Sequence, residues 1–163
     1  MTILPVLKWP DPRLTSVSLP AMVDDGTLTL ARDLLETMYA VGGRGLAAPQ
    51  VGRLTRVFVM DASWKSDQPA PETFINPEII WRAPETTLGP EGCLSIPGAV
   101  VDVARATAII LRWVTAKGAV AAQKLTGFRA ICAQHEIDHL DGILTLDHLS
   151  PEARAKAEAT TGA

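Results

Sequence analysis

QHEIDHLDG, residues 134–142, places two histidines four positions apart and a glutamate directly after the first of them. Four residues make just over one turn of a helix, so His135 and His139 would project side by side and can share one metal ion. Glu136 would lie near any water held there, which is the H-E-x-x-H arrangement in which histidines bind a metal and glutamate moves protons. The simpler interpretation is a polar helix face, and two histidines alone do not complete a metal site.

The residues around this motif are typical of a helix. In GFRAICAQHEIDHLDG, residues 127–142, apolar side chains and both histidines fall close to one stripe, and Gly142 follows as a helix stop. A second amphipathic helix is predicted from about Leu28 to Val41, where Gly42–Gly43 would end it. A short third helix is predicted over PEARAKAEA, residues 151–159.

The stretch between these two glycine-ended helices, after Gly43 and before Gly127, is rich in short β-type runs. They are separated by proline and glycine from Leu54 to about Thr126, as in a compact antiparallel sheet. The runs are RVFVMD, EIIW, GAVVDVAR, ATAIILRWV and AVAAQKL. The order of helix, several strands and helix predicts an α+β fold.

The composition describes one folded domain without a charge bias. The 163 residues suffice for a single domain, predicted to span 1–163, and 47% hydrophobic with 20% charged residues is typical of a globular protein. The net charge of −3 gives no reason to expect binding to nucleic acid or a membrane, and no apolar run approaches the roughly 20 residues of a membrane span. The proline-interrupted N-terminus is unlike a signal peptide, and two cysteines are too few for a disulfide framework, so a cytoplasmic protein is expected.

A third metal ligand is required, and the best candidate is Cys93. It lies in EGCLSIPG, residues 91–98, where the neighbouring Gly92 lets a thiolate approach a metal without steric penalty. His148 lacks the spacing of a further histidine ligand downstream of the motif. The alternative for Cys93 is a buried small hydrophobic residue, which fits Cys132 better because Cys132 lies on the apolar face of the helix.

A third segment, GRGLAAPQ at residues 43–50, combines small residues that permit close backbone approach with the amide of Gln50. Read alone, it describes a tight loop after a helix. Together, GRGLAAPQ, EGCLS and QHEIDHLDG occur in the order and rough spacing of the three signature motifs of peptide deformylases. The sequence resembles a bacterial-type peptide deformylase over most of its length. That resemblance implies compact antiparallel sheets packed around a central helix that carries the metal-binding motif.

The resemblance implies a metal centre and a reaction. Cys93, His135 and His139 would bind one divalent ion, which in this family is usually ferrous iron, with zinc or nickel able to occupy the same site. A water would take the remaining position, its pKa lowered by the ion. Glu136 would accept its proton during attack on the formyl carbonyl and then deliver a proton to the leaving amine. The reaction is removal of formate from N-formylmethionyl nascent chains.

The resemblance also implies how the substrate is held. The side-chain amide of Gln50 and the backbone N–H of Leu94 would stabilise the tetrahedral oxyanion. The backbone at Arg44–Gly45 and the strand beginning near Gly98 would pair with the extended peptide, which is recognition by strand addition.

Three positions depart from the family pattern around the pocket for the methionine side chain. Arg44 stands where an aliphatic residue is normal, Gly89 where a bulky apolar residue is common, and Val100 where bacterial members often carry an arginine. Arg44 can lay its stem along the wall and send its charge to water, and Phe128 can refill the volume lost at Gly89. We expect weaker selection for methionine than in a typical relative, or a preference for an acidic side chain if Arg44 points inward.

These departures keep two other interpretations open. One is a deformylase-like metalloamidase that acts on a different acyl or amide substrate. The other is a non-catalytic homologue that binds metal or peptide, against which the intact set of Gln50, Glu136 and the three metal ligands argues.

The C-terminal segment, residues 151–163, is short and has a formal charge of zero, since Arg154 and Lys156 are balanced by Glu152 and Glu158. Many bacterial deformylases dock near the nascent-chain exit through a longer basic helix, and such binding depends on lysine and arginine neutralising RNA phosphates. Ribosome binding through this C-terminus is therefore not expected. Direct contact with nucleic acid or a membrane is not expected either.

Overall fold

The fold is known from a computed structural model that describes residues 2–161. The end of the C-terminal segment, Gly162–Ala163, lies outside the described residues, as does Met1. Within them the chain runs through one helix, seven strands and two further helices. The bounds are α1 Asp25–Ala40, β1 Gly45–Ala47, β2 Val57–Met60, β3 Glu72–Arg82, β4 Thr86–Cys93, β5 Ile96–Ala106, β6 Ala108–Val114, β7 Val120–Thr126, α2 Gly127–Leu140 and α3 Pro151–Thr160.

The seven strands pair antiparallel in two sheets. Five of them lie side by side in the order β1-β2-β3-β6-β7, and β4 and β5 form a separate two-stranded sheet. The predicted α+β class with antiparallel sheets is confirmed. The predicted β-type runs all fall within β2, β3, β5, β6 and β7 or one residue beyond them.

Helix α2 packs on the five-stranded sheet and forms the middle of its core. Ala130, Ala133 and Ile137 are buried there against the sheet. Phe58 and Phe74 from neighbouring strands stack under it with 4.5 Å between ring centroids. Each buried phenylalanine contributes about 1.5–3 kcal/mol by leaving water, and the small alanines allow the helix to approach closely. The helix that carries the histidine motif is thus anchored on a rigid surface.

Helix α1 begins at Asp25, before its predicted start at Leu28. The cause is Asp24, whose side chain accepts a hydrogen bond of 2.8 Å from the backbone N–H of Thr27 and caps the helix. Polar residues that are typical of a turn therefore form the first helical turn. The predicted stop is confirmed, because the helix ends at Ala40 and Gly42 takes a left-handed φ of 74°.

Strands β1 and β4 are not predicted by the sequence patterns. β1 has three residues, and β4 contains Gly89, Pro90 and Gly92, which are typical of turns. Both are edge strands: β1 pairs with β2 alone and β4 with β5 alone among the described strands. A proline at an edge removes no hydrogen bond from the interior of a sheet, so β4 tolerates it. Each of these strands leaves one edge unpaired.

Candidate active site

The three predicted metal ligands converge at the end of β4 and on one face of α2. Sγ of Cys93 lies 3.4 Å from Nε2 of His139, which lies 3.2 Å from Nε2 of His135. All three ligand atoms lie within 4.8 Å of one another. Two ligands of a tetrahedral ion with bonds of about 2.0–2.3 Å stand about 3.3–3.8 Å apart. The spacing of the donor atoms fits one divalent metal ion.

His135 is held by a buried carboxylate that sequence reasoning did not assign to the site. Oε1 of Glu91 lies 2.9 Å from Nδ1 of His135, which leaves Nε2 directed towards the other ligands. Arg105 donates two hydrogen bonds of 2.9 Å to the same carboxylate and a third of 2.6 Å to Asp138. Burial would raise the pKa of Glu91, but the hydrogen bonds from Arg105 and His135 outweigh it and lower the pKa to about 2. Glu91 is therefore a fixed anion that orients the ligand.

The pKa values of the two histidines are shifted in opposite directions. Burial lowers the pKa of His139 well below its ordinary value, and Nδ1 of this ring has no hydrogen-bond partner within residues 2–161. Burial acts in the same direction on His135, but hydrogen bonds with Cys93 and Glu91 outweigh it and raise the pKa of this ring. A metal ion bonds to a neutral imidazole, so its binding must release the proton of His135 and weakens as the pH falls.

Glu136 lies beside the ligands and has an unpaired carboxylate oxygen. The side chain is 4% exposed, and Oε2 has no hydrogen-bond partner within residues 2–161. Burial raises the pKa of Glu136 to about 7, and the nearby charge of His135 offsets this only in part. An unpaired buried carboxyl group costs stability, so its presence next to a metal site indicates a chemical role.

Gly45 makes room for Glu136. A Cβ atom at this position would lie 2.6 Å from Oε1 of Glu136 and 2.8 Å from Sγ of Cys132. We expect Gly45→Ala to destabilise the protein by about 1–3 kcal/mol and to lower activity by displacing Glu136. Chemical denaturation and kcat/KM measure the two effects. Gly92→Ala is the stability control, because a Cβ there meets nothing within 4 Å. A Gly45→Ala protein as stable and active as the parent would contradict the expectation.

Gln50 is oriented by its own backbone turn, a 3-10 turn over Ala48–Val51 that follows β1. Its Oε1 accepts a hydrogen bond of 3.0 Å from the N–H of Ala47, which turns the amide nitrogen towards the metal site. Nε2 donates to Oγ of Ser95 at 3.1 Å and lies 3.7 Å from Sγ of Cys93. Leu94 follows Cys93 directly and lines the same cleft. The two predicted oxyanion donors, Gln50 and Leu94, therefore both lie at the metal end of the cleft.

A buried aspartate that the sequence patterns do not reveal braces the glycine segment before β1. Asp61 accepts hydrogen bonds from Oη of Tyr39 at 2.6 Å and from the backbone N–H groups of Ala70 and Trp64 at 3.0 and 3.2 Å. The indole of Trp64 in turn donates a 2.9 Å hydrogen bond to the carbonyl of Gly43. This loop holds the start of the β1 edge in place.

A cleft of about 520 Å³ runs from the metal ligands between the edges of β1 and β4. Four of the predicted substrate-binding residues line it, namely Arg44, Gly45, Gly89 and Phe128. Gly98 does not line it, and its assignment to the peptide-binding strand stays a prediction. It lies where a Cβ would be 3.0 Å from the carbonyl oxygen of Thr160, so this part of β5 faces α3 and not the cleft. Val100 also lies outside the lining and is exposed.

The unusual residues Arg44 and Phe128 contact each other on the cleft wall. Cζ of Arg44 lies 4.3 Å from the centre of the Phe128 ring, in the geometry of a cation–π pair. Phe128 does not refill the volume at Gly89, because a Cβ added there meets no atom within 4 Å. The cleft is therefore wider at Gly89 than it would be with a side chain there, and it carries a positive charge at Arg44.

Comparison with known proteins identifies the family. The polypeptide deformylase model matches residues 3–155. The chain belongs to the polypeptide deformylase family. A peptide deformylase from Alkalilimnicola ehrlichii is 50% identical over 157 residues, which cover 96% of this chain and 87% of the relative. One from Phenylobacterium zucineum is 43% identical over 158 residues, which cover 96% of this chain and 94% of the relative.

Solved deformylase structures share the fold. The crystal structure of a peptide deformylase from Legionella pneumophila superposes with a TM-score of 0.92 at 36% identity and covers 98% of this chain and 94% of that one. The Ehrlichia chaffeensis deformylase in complex with actinonin gives a TM-score of 0.92 at 36% identity, with 98% and 95% covered. The chain is thus a metal-dependent hydrolase of the family that removes N-terminal formyl groups.

Proposed function

We propose that this protein removes the formyl group from N-formylmethionyl peptides of nascent proteins, with a metal ion held by Cys93, His135 and His139. The observation that carries the proposal is the convergence of these three ligands on one point beside the unpaired carboxylate of Glu136. This point lies at the end of a cleft bordered by two unpaired strand edges. A thiolate and two imidazoles suit ferrous iron, zinc and nickel, and we propose ferrous iron as the native metal.

The peptide would lie extended between the edges of β1 and β4, where backbone groups can hydrogen-bond to it from both sides. Its first side chain would enter the cleft ahead of the Arg44–Phe128 pair, and its formyl carbon would reach the metal ligands. Gln50 and the backbone N–H of Leu94 would donate hydrogen bonds to the formyl oxygen as negative charge develops on it. Such donors are worth about 2.7–4 kcal/mol each in the transition state.

A divalent metal ion bound by these ligands supplies an activated water at neutral pH. Oε2 of Glu136, which has no competing partner, would accept the proton of the attacking water. The same carboxyl group would then donate a proton to the peptide nitrogen as the bond between carbon and nitrogen breaks. Formate and a peptide with a free amino terminus leave the cleft. The fixed anion of Glu91 keeps His135 oriented throughout.

The deciding experiment compares formyl-Met-Ala-Ser with acetyl-Met-Ala-Ser, using protein purified anaerobically with iron and of known metal content. We expect release of formate from the first peptide and negligible release of acetate from the second. Comparable turnover of the acetyl peptide would favour a broader metalloamidase. Absence of formate release by protein with stoichiometric metal would overturn the proposal.

The proposed setting is the cytoplasm, where formylated chains are made. No helix within residues 2–161 has the length and apolar character needed to cross a membrane. We propose that the whole chain acts as a single domain. The metal is tested by measuring which ion accompanies the protein when it is isolated from cells under anaerobic conditions.

We expect the C-terminal helix not to anchor the protein to ribosomes. Arg154 is already engaged, with hydrogen bonds of 2.6 Å to Asp147 and 2.8 Å to Glu158, which leaves Lys156 as the other cation of α3. Binding to ribosomal phosphates strengthens with each free cation and falls steeply with salt. Co-sedimentation with 70S particles at low salt is the measurement. Tight binding that disappears when residues 151–163 are deleted would contradict this expectation.

A further inference from the structure

The guanidinium of Arg44 is a positioned cation without a counter-ion. It rests on the ring of Phe128, with 4.3 Å between Cζ and the ring centre, and both side chains are exposed in the cleft wall. Within residues 2–161 it makes no ion pair, whereas Arg105 and Arg129 are paired with acidic residues. Stacking on an aromatic face orients the planar group and leaves its N–H donors available for a carboxylate.

The charges around this position favour an anion. The acidic residues that line the cleft are Glu91, which is paired with Arg105, and Glu136, which lies at the metal end. Lys65 also lines the cleft, and its Nζ donates to the carbonyl of Gly42 next to the β1 edge. The wall around Arg44 therefore presents positive charge and an aromatic face, while the partly unpaired carboxylate of Glu136 lies at the metal end of the cleft.

The distance from the metal ligands selects one residue of the substrate. Phe128 precedes His135 by seven positions on α2, which places the Arg44–Phe128 pair about 10 Å along the helix from the ligand. In an extended peptide the Cα atom of the third residue lies about 9 Å from the formyl carbon. The third side chain shares a face with the first, and the second side chain points to the opposite face.

We propose that Arg44 binds a carboxylate on the third residue of the formylated peptide, so that this deformylase favours acidic residues there. This inference rests on the proposed function, since the peptide must lie in the cleft with its formyl group at the metal ligands. It makes Arg44 a specificity residue of this chain, and Phe128 the platform that positions its charge.

The test uses C-terminally amidated peptides, formyl-Met-Ala-X-Ala-NH2, with glutamate, glutamine or lysine at X. We expect kcat/KM for glutamate to exceed that for glutamine by about 3–10-fold at low salt, and lysine to fall below glutamine. The ratio should approach one in 1 M salt, where the Debye length is about 3 Å. Formyl-Met-Glu-Ala-Ala-NH2, with the acid at the second residue, is the positional control and should show no such gain.

Two further peptides distinguish a side-chain carboxylate from a C-terminal carboxylate. Formyl-Met-Ala-Ala with a free C-terminus carries its carboxylate on the third residue, and its amide does not. We expect a higher kcat/KM for the free acid than for its amide if Arg44 binds a carboxylate at this distance from the metal ligands. A gain with glutamate but none with the free terminus would assign recognition to the side chain alone, which also supports the proposal.

The variants are compared by the ratio of kcat/KM for the glutamate peptide to kcat/KM for the glutamine peptide. Their absolute rates are not compared. Arg44→Gln should bring this ratio to about one, Arg44→Lys should retain part of it, and Arg112→Gln should leave it unchanged because this exposed arginine lies outside the cleft. A ratio near one in the parent, a gain at the second residue, or an unchanged ratio in Arg44→Gln would overturn the inference.

Binding of the deformylated products separates this inference from the proposed function. Calorimetry on Met-Ala-Glu-Ala-NH2 and Met-Ala-Gln-Ala-NH2 with metal-loaded protein gives the same ratio without turnover. Tighter binding of the glutamate peptide without formate release in the earlier assay would uphold the role of Arg44 and overturn the reaction. Formate release, together with equal affinities and equal rates for the glutamate and glutamine peptides, would uphold the reaction and overturn the role of Arg44.

Discussion

Glu136→Gln should retain its metal and lose nearly all hydrolysis. The ligands and the proton carrier are different residues, so the substitution leaves Cys93, His135 and His139 in place. General acid–base catalysis typically contributes about 10²–10⁴-fold, and this carboxyl group serves in two proton transfers, so kcat/KM should fall by at least that range. Formate release and elemental analysis on the same preparation measure the two properties. Glutamine matches the shape of glutamate, so the close contact with Gly45 is kept.

Glu78→Gln is the matched control, because it makes the same change at an exposed position on β3. It should retain both metal and activity. Turnover by Glu136→Gln within a few-fold of the parent would show that another group moves the proton. Loss of metal from this variant would instead show that Glu136 takes part in binding the ion.

Glu136→Gln should also change how the stability of the metal-free protein depends on pH. The pKa of Glu136 is raised from 4.5 to about 7 in the folded state, mainly by burial, so the folded state binds more protons between these values. The free energy of unfolding therefore falls as the pH rises through this window. Glu136→Gln removes the dependence and should exceed the parent in stability by roughly 1–3 kcal/mol above pH 7, with no such gain below pH 4.5. Urea denaturation at several pH values is the measurement.

Cys93→Ala should lose both metal and activity. Two imidazoles remain, and a catalytic site of this type needs three protein ligands. Changes outside the ligand set typically cost 10–100-fold in metal affinity, so loss of a ligand should cost more. Metal content after gel filtration measures the effect. Stoichiometric metal in the Cys93→Ala protein would rule out the assignment.

Cys132→Ala is the control for the thiol itself. Cys132 is buried beside Gly45, burial raises the pKa of its thiol, and its sulfur is not part of the group formed by Cys93, His135 and His139. This variant should keep its metal. Loss of metal from Cys132→Ala and not from Cys93→Ala would reverse the roles assigned to the two cysteines.

The parts of the site that the sequence predicts are those with local spacing. His135 and His139 share a face because they are one helical turn apart on α2. The link from Arg105 through Glu91 to His135 joins three elements and has no local pattern. It can be found only once the strands and the helix are placed against each other.

The pairing of the strand edges is likewise not given by local sequence patterns. β4 contains glycine and proline at positions where a strand pattern would need alternating apolar residues, so its pairing with β5 decides its structure. The position of Gly98 outside the cleft lining has the same origin. It follows the cysteine motif closely in sequence, but after the two-residue turn at Leu94 and Ser95 the start of β5 lies outside the cleft lining, which β5 joins at Val103 and Arg105. Proximity in sequence does not show which edge of a hairpin faces the cleft.

Binding of the peptide between the unpaired edges of β1 and β4, as proposed, would also decide when the enzyme can act. A cleft of this shape accepts a chain only while its first residues are extended, since a helix or a paired strand has no backbone groups left to offer. Deformylation therefore competes with folding of the substrate, and the opportunity closes once the amino terminus enters a helix or sheet. Proteins whose first residues fold quickly should keep more of their formyl groups than proteins whose first residues fold late.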